Sequence, residues 1–196
     1  MNPRPSHRLR IIGGDWRGRR FTFPGAAGLR PTPDRVRETL FNWLAPVVAG
    51  SRCLDLFAGS GALGLEALSR GAREAVFVEQ QAGAAEALRR HLQVLGAQDR
   101  GRVVQQPVEV WLRGQPRPFD IVFLDPPYHA GLLAPVLQRL AAGWTAPGAR
   151  IYFEHAADEP TPEAPPGWIL HRRKRAGAVI YGLWLAGTGH EVPAAG

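Results

Sequence analysis

The chain has 196 residues, of which 45% are apolar, and its formal net charge is +7 at pH 7. That length is enough for one well-buried core and short for two, so we expect a single main domain. No apolar run is long enough to span a membrane, no secretory signal is evident, and a lone cysteine, Cys53, excludes a disulfide within the chain. We therefore expect a monomeric protein of the reducing cytoplasm, with no membrane partner.

The positive charge is almost entirely arginine, since Lys174 is the only lysine. Arginine pairs bidentately with phosphate and stacks on bases, which makes nucleic acid the first partner to consider. The alternative is a genome that favours arginine everywhere, as in some thermophiles. Between Arg4 and Arg37, however, the arginines are opposed only by Asp15 and Asp34. Such an asymmetry at one end favours a binding partner over a general compositional bias.

Residues 1–30 are predicted to form a small, basic, β-rich extension. Glycine and arginine alternate there with apolar residues such as Ile11, Ile12 and Trp16. Aromatic side chains interleaved with arginine are typical of segments that bind single-stranded or looped RNA. The alternative is an arm that packs on the core through the apolar residues, and the two interpretations can hold for different residues.

Thr32 and Pro33 predict the start of a helix that runs to about Leu44. The hydroxyl of Thr32 would cap the helix, and Pro33 would take its first position. The apolar face of this helix comprises Val36, Leu40, Trp43 and Leu44. Arg35 and Arg37 lie off that face, where they are either solvated charges or contacts for the substrate.

From residue 51 onward, a pattern of strand, loop and helix repeats. The predicted strands are 53–57, 75–78, 102–105, 121–124 and 149–153, and the predicted helices are 63–69, 82–95, 107–112 and 132–140. This alternation predicts a doubly wound α/β fold, with a mostly parallel sheet that helices cover on both faces.

The last part of the chain is predicted to be a connector followed by a hairpin. The connector, 158–167, is rich in proline and acidic residues, and strands at 168–170 and 179–185 flank the basic run 171–175. We expect a main domain over 31–186 and a disordered tail over 187–196.

Gly59, Gly61 and Gly64 lie between a predicted strand and a predicted helix with the spacing of a dinucleotide-binding loop. Glu79 ends the next strand, where an acidic side chain can accept hydrogen bonds from ribose hydroxyls. Asp55, just before the loop, can meet a cofactor ammonium group or its water shell. That carboxylate favours S-adenosylmethionine as the ligand. A second feature that favours it is the turn at residues 125–128, which suits an amine substrate and therefore needs a methyl donor. NAD and a purely structural loop are the alternatives.

The strand 121–124 ends in Asp125-Pro126-Pro127-Tyr128. Two prolines cannot extend a β-ladder, so the carboxylate lies at the carboxyl edge of the sheet, where α/β proteins bind ligands. An exocyclic amine on a nucleobase is a poor nucleophile, because its lone pair is delocalised into the ring. Asp125 can accept one N–H of such an amine and the Pro126 carbonyl the other, while Tyr128 stacks on the base.

We expect Asp125 to need no special tuning, because an aspartate with a pKa of about 3.9 is ionised at neutral pH. The alternative interpretation is a strand end followed by a Pro-Pro turn, with Asp125 capping a nearby backbone. Cys53 lies inside a strand, which is a poor position for a nucleophile.

Four stretches resemble the RsmD family of bacterial 16S ribosomal RNA guanine-N2 methyltransferases. They are 14–18 (GDWRG), 30–44 (RPTPDRVRETLFNWL), 54–71 (LDLFAGSGALGLEALSRG) and 125–128 (DPPY). The resemblance extends from about Arg10 to Leu185. It implies a seven-stranded methyltransferase fold with a small N-terminal β-rich extension. It also implies methylation of the exocyclic amine of one guanine in a decoding-region loop of the small ribosomal subunit.

The resemblance also implies roles for individual residues. The catalytic residues would be Asp125, Pro126 and Tyr128. The residues that bind S-adenosylmethionine would be Asp55, Phe57, Ala58, Gly59, Ser60, Gly61, Gly64, Glu79, Gln80, Val108 and Asp125. The RNA contacts would be Arg10, Arg17, Arg30, Thr32, Arg35, Arg37, Pro127 and Tyr128. Where relatives carry a small polar or acidic residue near the adenine, this chain has Pro107, so adenine would depend on the Val108 amide and apolar contacts.

The same sequence features also fit two other functions. One is a DNA amino-methyltransferase with the same turn, although the chain has little room for a domain that reads duplex sequence. The other is a non-catalytic RNA-binding or ribosome-assembly factor that keeps the fold. No metal site is expected, because the six histidines lack ligand spacing.

Overall fold

The structure is a computed structural model that describes residues 6–24 and 32–187. Within these ranges, the strands are β1 Ser6–Arg10, β2 Arg20–Pro24, β3 Arg52–Asp55, β4 Glu74–Val78, β5 Gly101–Val104, β6 Phe119–Leu124, β7 Thr145–Ala156, β8 Ile169–Ala176 and β9 Val179–Leu185. The helices are α1 Asp34–Leu44, α2 Ala62–Ser69, α3 Ala82–Val94, α4 Val108–Trp111 and α5 Leu133–Ala141. Each strand and helix predicted from residue 31 onward is present.

Seven strands form one sheet in the order β5-β4-β3-β6-β7-β9-β8. The neighbours from β5 to β7 pair in parallel, whereas β9 is antiparallel to both β7 and β8. The predicted doubly wound, mostly parallel seven-stranded sheet is confirmed. From β3 the chain proceeds outward to β4 and β5, and then returns to place β6 on the other side of β3. This reversal opens a crevice at the carboxyl ends of β3 and β6, which is where such folds bind ligands.

Apolar side chains cover both faces of the sheet. On one face, α1, α2, α3 and the N-terminal strands contribute residues such as Phe41, Leu65 and Leu88 to a buried cluster. On the other face, α4 and α5 contribute residues such as Leu112 and Leu137. Burial on both faces explains why the central strands are continuous apolar runs rather than alternating ones.

The N-terminal extension contains a two-stranded antiparallel sheet, β1 paired with β2. Four apolar residues of the extension are buried against the main domain: Leu9, Ile11, Phe21 and Phe23. This part of the extension therefore packs on the core, which was the alternative to RNA binding. Contact with α2 is close at Gly14, where φ is +73° and a Cβ would lie 1.8 Å from the Ser69 carbonyl oxygen. Only glycine fits such an approach.

Two local predictions were wrong. Pro33 takes the N-cap position of α1, which has no side-chain cap, because the Thr32 hydroxyl donates instead to Asp125. The basic run 171–175 lies within β8 rather than between strands, on the exposed edge of the sheet. Charged side chains on an edge strand oppose pairing with other chains.

The boundaries proposed for the extension and the main domain stay predictions, and the tail from residue 188 lies outside the described residues. Over residues 6–24 and 32–187, no helix is long and apolar enough to cross a membrane. The same residues contain no group of three or more His, Cys, Asp or Glu side chains that could hold a metal ion.

Candidate active site

The glycine loop connects β3 to α2 and is held in place by Glu79 at the end of β4. The Gly59 amide donates to Glu79 Oε2 at 2.8 Å, and the Gln81 amide donates to Oε1 at 2.6 Å. Gly59 and Gly61 have positive φ angles of 50° and 77°, which glycine adopts without strain. Each carboxylate oxygen retains acceptor capacity beyond these bonds. Glu79 is therefore able both to hold the loop and to accept further hydrogen bonds.

Gly64 brings α2 close to the sheet. A Cβ at this position would lie 2.2 Å from Cε1 of Phe77 on β4, so only glycine allows the helix to pack at this distance. The Gly64 amide points back to the end of β3 and donates to Asp55 Oδ2 at 3.1 Å. The third glycine of the motif thus has the packing role expected for a ligand-binding turn.

Asp55 is 2% exposed. Burial raises the pKa of its carboxyl to about 7, the Gly64 hydrogen bond lowers it, and the negative charge of Glu79 raises it further. A buried carboxylate in this state would be stabilised by a cation. The contact of Asp55 with an ammonium group stays a prediction.

The remaining residues predicted to bind the cofactor differ in their exposure. Ala58, Ser60 and Val108 are buried, Phe57 is partly buried, and Gln80 is exposed. Val108 is the first residue of α4, and Pro107 occupies its N-cap.

Asp125 directly follows β6 at the carboxyl edge. Its Oδ2 accepts a hydrogen bond of 3.1 Å from the hydroxyl of Thr32, a residue 93 positions away in sequence. Asp125 keeps some accessible surface, yet protein groups enclose its carboxylate. Burial, followed by the charge of Glu154, raises its pKa well above the usual range, and the Thr32 bond lowers it. The expectation of an ordinary aspartate was wrong, because neighbours from other segments enclose it.

Glu154, on β7, is a site residue that sequence reasoning missed. The parallel register pairs Leu124 with Phe153, so the next residues along, Asp125 and Glu154, lie side by side. Glu154 is 1% exposed, and burial raises its pKa. A signal was available: the buried strand was predicted to stop at Phe153, and an acidic residue follows it, as Glu79 and Asp125 follow theirs.

Three hydroxyl groups contact the Glu154 carboxylate. The Tyr152 hydroxyl donates to Oε1 at 2.5 Å, and the Tyr128 hydroxyl donates to Oε2 at 3.4 Å. The third is that of Thr32, whose single hydrogen is donated to Asp125. Two buried carboxyl groups are therefore linked through one threonine.

The residues predicted to contact RNA fall into three groups. Arg17, Arg35, Pro127 and Tyr128 are exposed, and the half-exposed side chain of Arg10 pairs with Asp34 at 2.8 Å. Thr32 is buried and faces the two carboxyl groups. Arg30 lies outside the described residues.

Arg37 is not placed to contact RNA, so the prediction of an RNA contact at this residue was wrong. Its side chain is 2% exposed, donates to the Arg10 carbonyl at 2.9 Å and to Asp34 at 2.5 Å, and lies 3.8 Å from Glu66. The helical position of Arg37 turns it toward the N-terminal extension, so its charge stabilises the packing of that extension.

Comparisons with known proteins agree with this geometry. A protein family described as "Conserved hypothetical protein 95" matches residues 9–185. The "Ribosomal RNA small subunit methyltransferase D" of Escherichia coli is 48% identical over 186 residues, which cover 92% of this chain and 93% of that protein. The protein of the same name from Haemophilus influenzae is 44% identical over 191 residues, which cover 94% and 97%.

Two solved structures are also similar to this chain. One from Escherichia coli is 45% identical, covers 93% of this chain and 99% of its own, and superimposes with a TM-score of 0.87. One from Haemophilus influenzae is 41% identical, covers 92% and 99%, and has a TM-score of 0.80. The family match and these identities show that the chain belongs to the ribosomal RNA small subunit methyltransferase D family.

Proposed function

We propose that this protein transfers a methyl group from S-adenosylmethionine to the exocyclic N2 amine of a guanine in the 16S ribosomal RNA of the small subunit. The observation that carries this proposal is the position of Asp125 and its Pro-Pro-Tyr turn beside the glycine loop, at the crevice where the sheet reverses direction. The names of the Escherichia coli and Haemophilus influenzae relatives support the substrate.

The residues around the crevice fit S-adenosylmethionine. Asp55 is a buried acid with a pKa near 7, and an ammonium group would compensate its charge. Glu79 has acceptor capacity for ribose hydroxyls. Val108 offers an apolar surface for adenine. When bound, this cofactor supplies an electrophilic methyl group on a positively charged sulfur.

Asp125 and the Pro126 carbonyl would orient the amine. Each accepts one N–H of N2, so that the nitrogen lone pair points at the methyl carbon, and alignment of this kind supplies much of the rate enhancement. When N2 takes up the methyl group, Asp125 would accept the proton that N2 loses and would later release it to solvent. The raised pKa of Asp125 suits this step, because a stronger base accepts a proton more readily.

The charge distribution supports an RNA partner. Arg17 and Arg35 are exposed on the N-terminal side of the molecule, and the edge strand β8 presents five consecutive basic residues, 171–175. Cationic side chains neutralise phosphates, and a base in a loop leaves its stack at low cost. We extend the proposal to a monomer that acts in the cytoplasm on the small subunit or an assembly intermediate.

The test is transfer of a labelled methyl group from S-adenosylmethionine to unmodified small subunits. We expect labelled 2-methylguanosine in the 16S RNA with the wild type and none with Asp125→Ala, whose cofactor affinity should stay close to that of the wild type. Asp158→Ala, at an exposed acidic side chain, is the matched control and should remain active. Equal labelling of duplex DNA would favour a DNA amino-methyltransferase. RNA binding without cofactor binding would favour a non-catalytic assembly factor.

A further inference from the structure

We infer that the cavity beside the Asp-Pro-Pro-Tyr turn is the pocket for the target base, and that Glu154 selects guanine by accepting the hydrogen on its N1. This inference rests on the proposed function and identifies the residue that reads the base at the same site. Guanine presents two adjacent kinds of donor on its Watson–Crick edge, N1–H and the N2 amine. Adenine presents an acceptor at N1, so a carboxylate opposite N1 distinguishes the two bases.

The backbone places the two carboxyl groups to read this edge. β6 and β7 are parallel neighbours in register up to Leu124 and Phe153, so Asp125 and Glu154 emerge next to each other on the same face. If Asp125 accepts an N2 hydrogen, a base bound with its N1 side toward β7 brings N1–H to the adjacent carboxylate of Glu154.

A cavity of about 260 Å³ adjoins the Asp-Pro-Pro-Tyr turn, with Glu154 but not Asp125 among its lining residues. Pro126, Tyr128 and Leu132 contribute to its walls, and Glu154 and Glu159 contribute acidic groups. Ligand pockets are typically apolar and aromatic, with a few polar groups that fix orientation. A flat base stacked on Tyr128 with its edge toward Glu154 matches that composition.

The contacts of Glu154 leave room for such a ligand. An ionised carboxylate offers about four acceptor positions. Tyr152 and Tyr128 each donate to one oxygen, and Thr32 supplies a hydroxyl shared with Asp125. Keeping two carboxyl groups buried side by side is unfavourable unless donors reach both of them. The N1–H and N2–H groups of guanine would supply those donors.

The expected selectivity is substantial. A base without the N1 hydrogen leaves Glu154 facing a lone pair, and a hydrogen bond to a charged group is worth roughly ten- to a hundredfold in affinity. Recognition sites that satisfy a buried polar group in this way reject analogues that lack the donor. Glu154 thus acts on base choice, whereas Asp125 acts on the amine.

The experiment replaces the methylated guanine, once it is mapped, with 2-aminopurine in RNA assembled into small subunits. This base keeps the N2 amine but has an acceptor at N1. With the wild type, we expect kcat/KM for 2-aminopurine to be lower than for guanine by at least about tenfold. In Glu154→Gln, the side-chain amide can donate to N1, so the preference for guanine should shrink by at least about tenfold. Asp158→Asn, at an exposed acidic side chain that does not line the cavity, is the matched control and should keep the wild-type preference.

A binding experiment makes the outcome independent of the variant's folding. RNA with inosine at the target position keeps N1–H but has no amine, so it binds without reacting, and RNA with purine riboside there lacks N1–H. Wild-type protein should bind the inosine RNA more tightly. Equal binding of the two RNAs, or equal loss of kcat/KM for guanine and 2-aminopurine in a Glu154→Gln protein that binds cofactor, would overturn the inference. If the wild type fails to methylate guanine at all, the proposed function itself fails.

Discussion

Glu66 joins the N-terminal extension to the main domain, and removing its side chain should destabilise the protein strongly. Glu66 lies in α2 and is 0% exposed. Its carboxylate accepts hydrogen bonds of 2.8 Å from the amides of Ile12 and Gly13 and from Nε of Arg70. The buried guanidinium of Arg37 lies 3.8 Å away. One side chain therefore compensates two cations and two backbone donors.

Glu66→Ala should lower the free energy of unfolding by about 3–5 kcal/mol, because it leaves the buried charge of Arg37 and two partly buried amides without their acceptor. For a protein of this size, each kcal/mol shifts Tm by about 2–4 °C, so Tm should fall by roughly 6–20 °C. Glu86→Ala is the matched control. Glu86 also pairs with two arginines, at 3.6 and 3.3 Å, but its side chain is 56% exposed, and exposed pairs contribute at most about 1 kcal/mol.

Urea denaturation followed by circular dichroism compares the two variants with the wild type. We expect a much lower midpoint for Glu66→Ala and a nearly unchanged one for Glu86→Ala. Equal midpoints for the two variants would refute the reasoning, because burial would then not determine the contribution of the carboxylate.

Four further outcomes follow from the site. Gly64→Ala should destabilise the protein by about 1–3 kcal/mol in thermal unfolding, since its Cβ would meet Phe77 at 2.2 Å; an unchanged Tm would show that α2 can move. Asp55 has a pKa raised from 3.8 to about 7, so the folded state binds the extra proton and stability falls as pH rises between these values. Asp55→Asn should remove that decline, with a gain of up to about 4 kcal/mol at pH 8, and should weaken cofactor binding; a variant with the wild-type pH profile of stability would contradict this. The raised pKa of Asp125 predicts that single-turnover methyl transfer accelerates with rising pH as the carboxyl ionises, and a rate constant already flat at pH 5 would argue against it. Burial raises the pKa of Cys53 to about 12, so iodoacetamide should alkylate this thiol at pH 8 only after the protein unfolds. Mass spectrometry detects the alkylated cysteine, and labelling of the folded protein would contradict this prediction.

The parts of the site that depend on local sequence were predictable. The glycine loop follows a strand and precedes a helix, and Glu79 and Asp125 each end an apolar strand. Because parallel strands bring their carboxyl ends to one edge, the sequence alone is enough to place these features together.

The parts that depend on distant segments were not predictable. The hydroxyl of Thr32 donates a hydrogen bond to Asp125, which is 93 residues away in sequence, instead of capping its own helix. Only the tertiary structure shows that contact. The pKa of Asp125 depends on Glu154, whose position follows from the register between β6 and β7. Arg37 was interpreted as a possible RNA contact because a helical pattern does not reveal that another segment covers that side.

The central claim is that Asp125 directs methyl transfer to a guanine amine. The most direct test is the single-turnover rate of 2-methylguanosine formation in small-subunit RNA, measured for the wild type and for Asp125→Asn with both proteins saturated in S-adenosylmethionine. Asparagine keeps the shape of the side chain but cannot accept a proton as a carboxylate does. We expect the rate constant to fall by about a hundredfold or more while cofactor affinity is retained. A variant that methylates guanine at the wild-type rate would contradict the role assigned to Asp125.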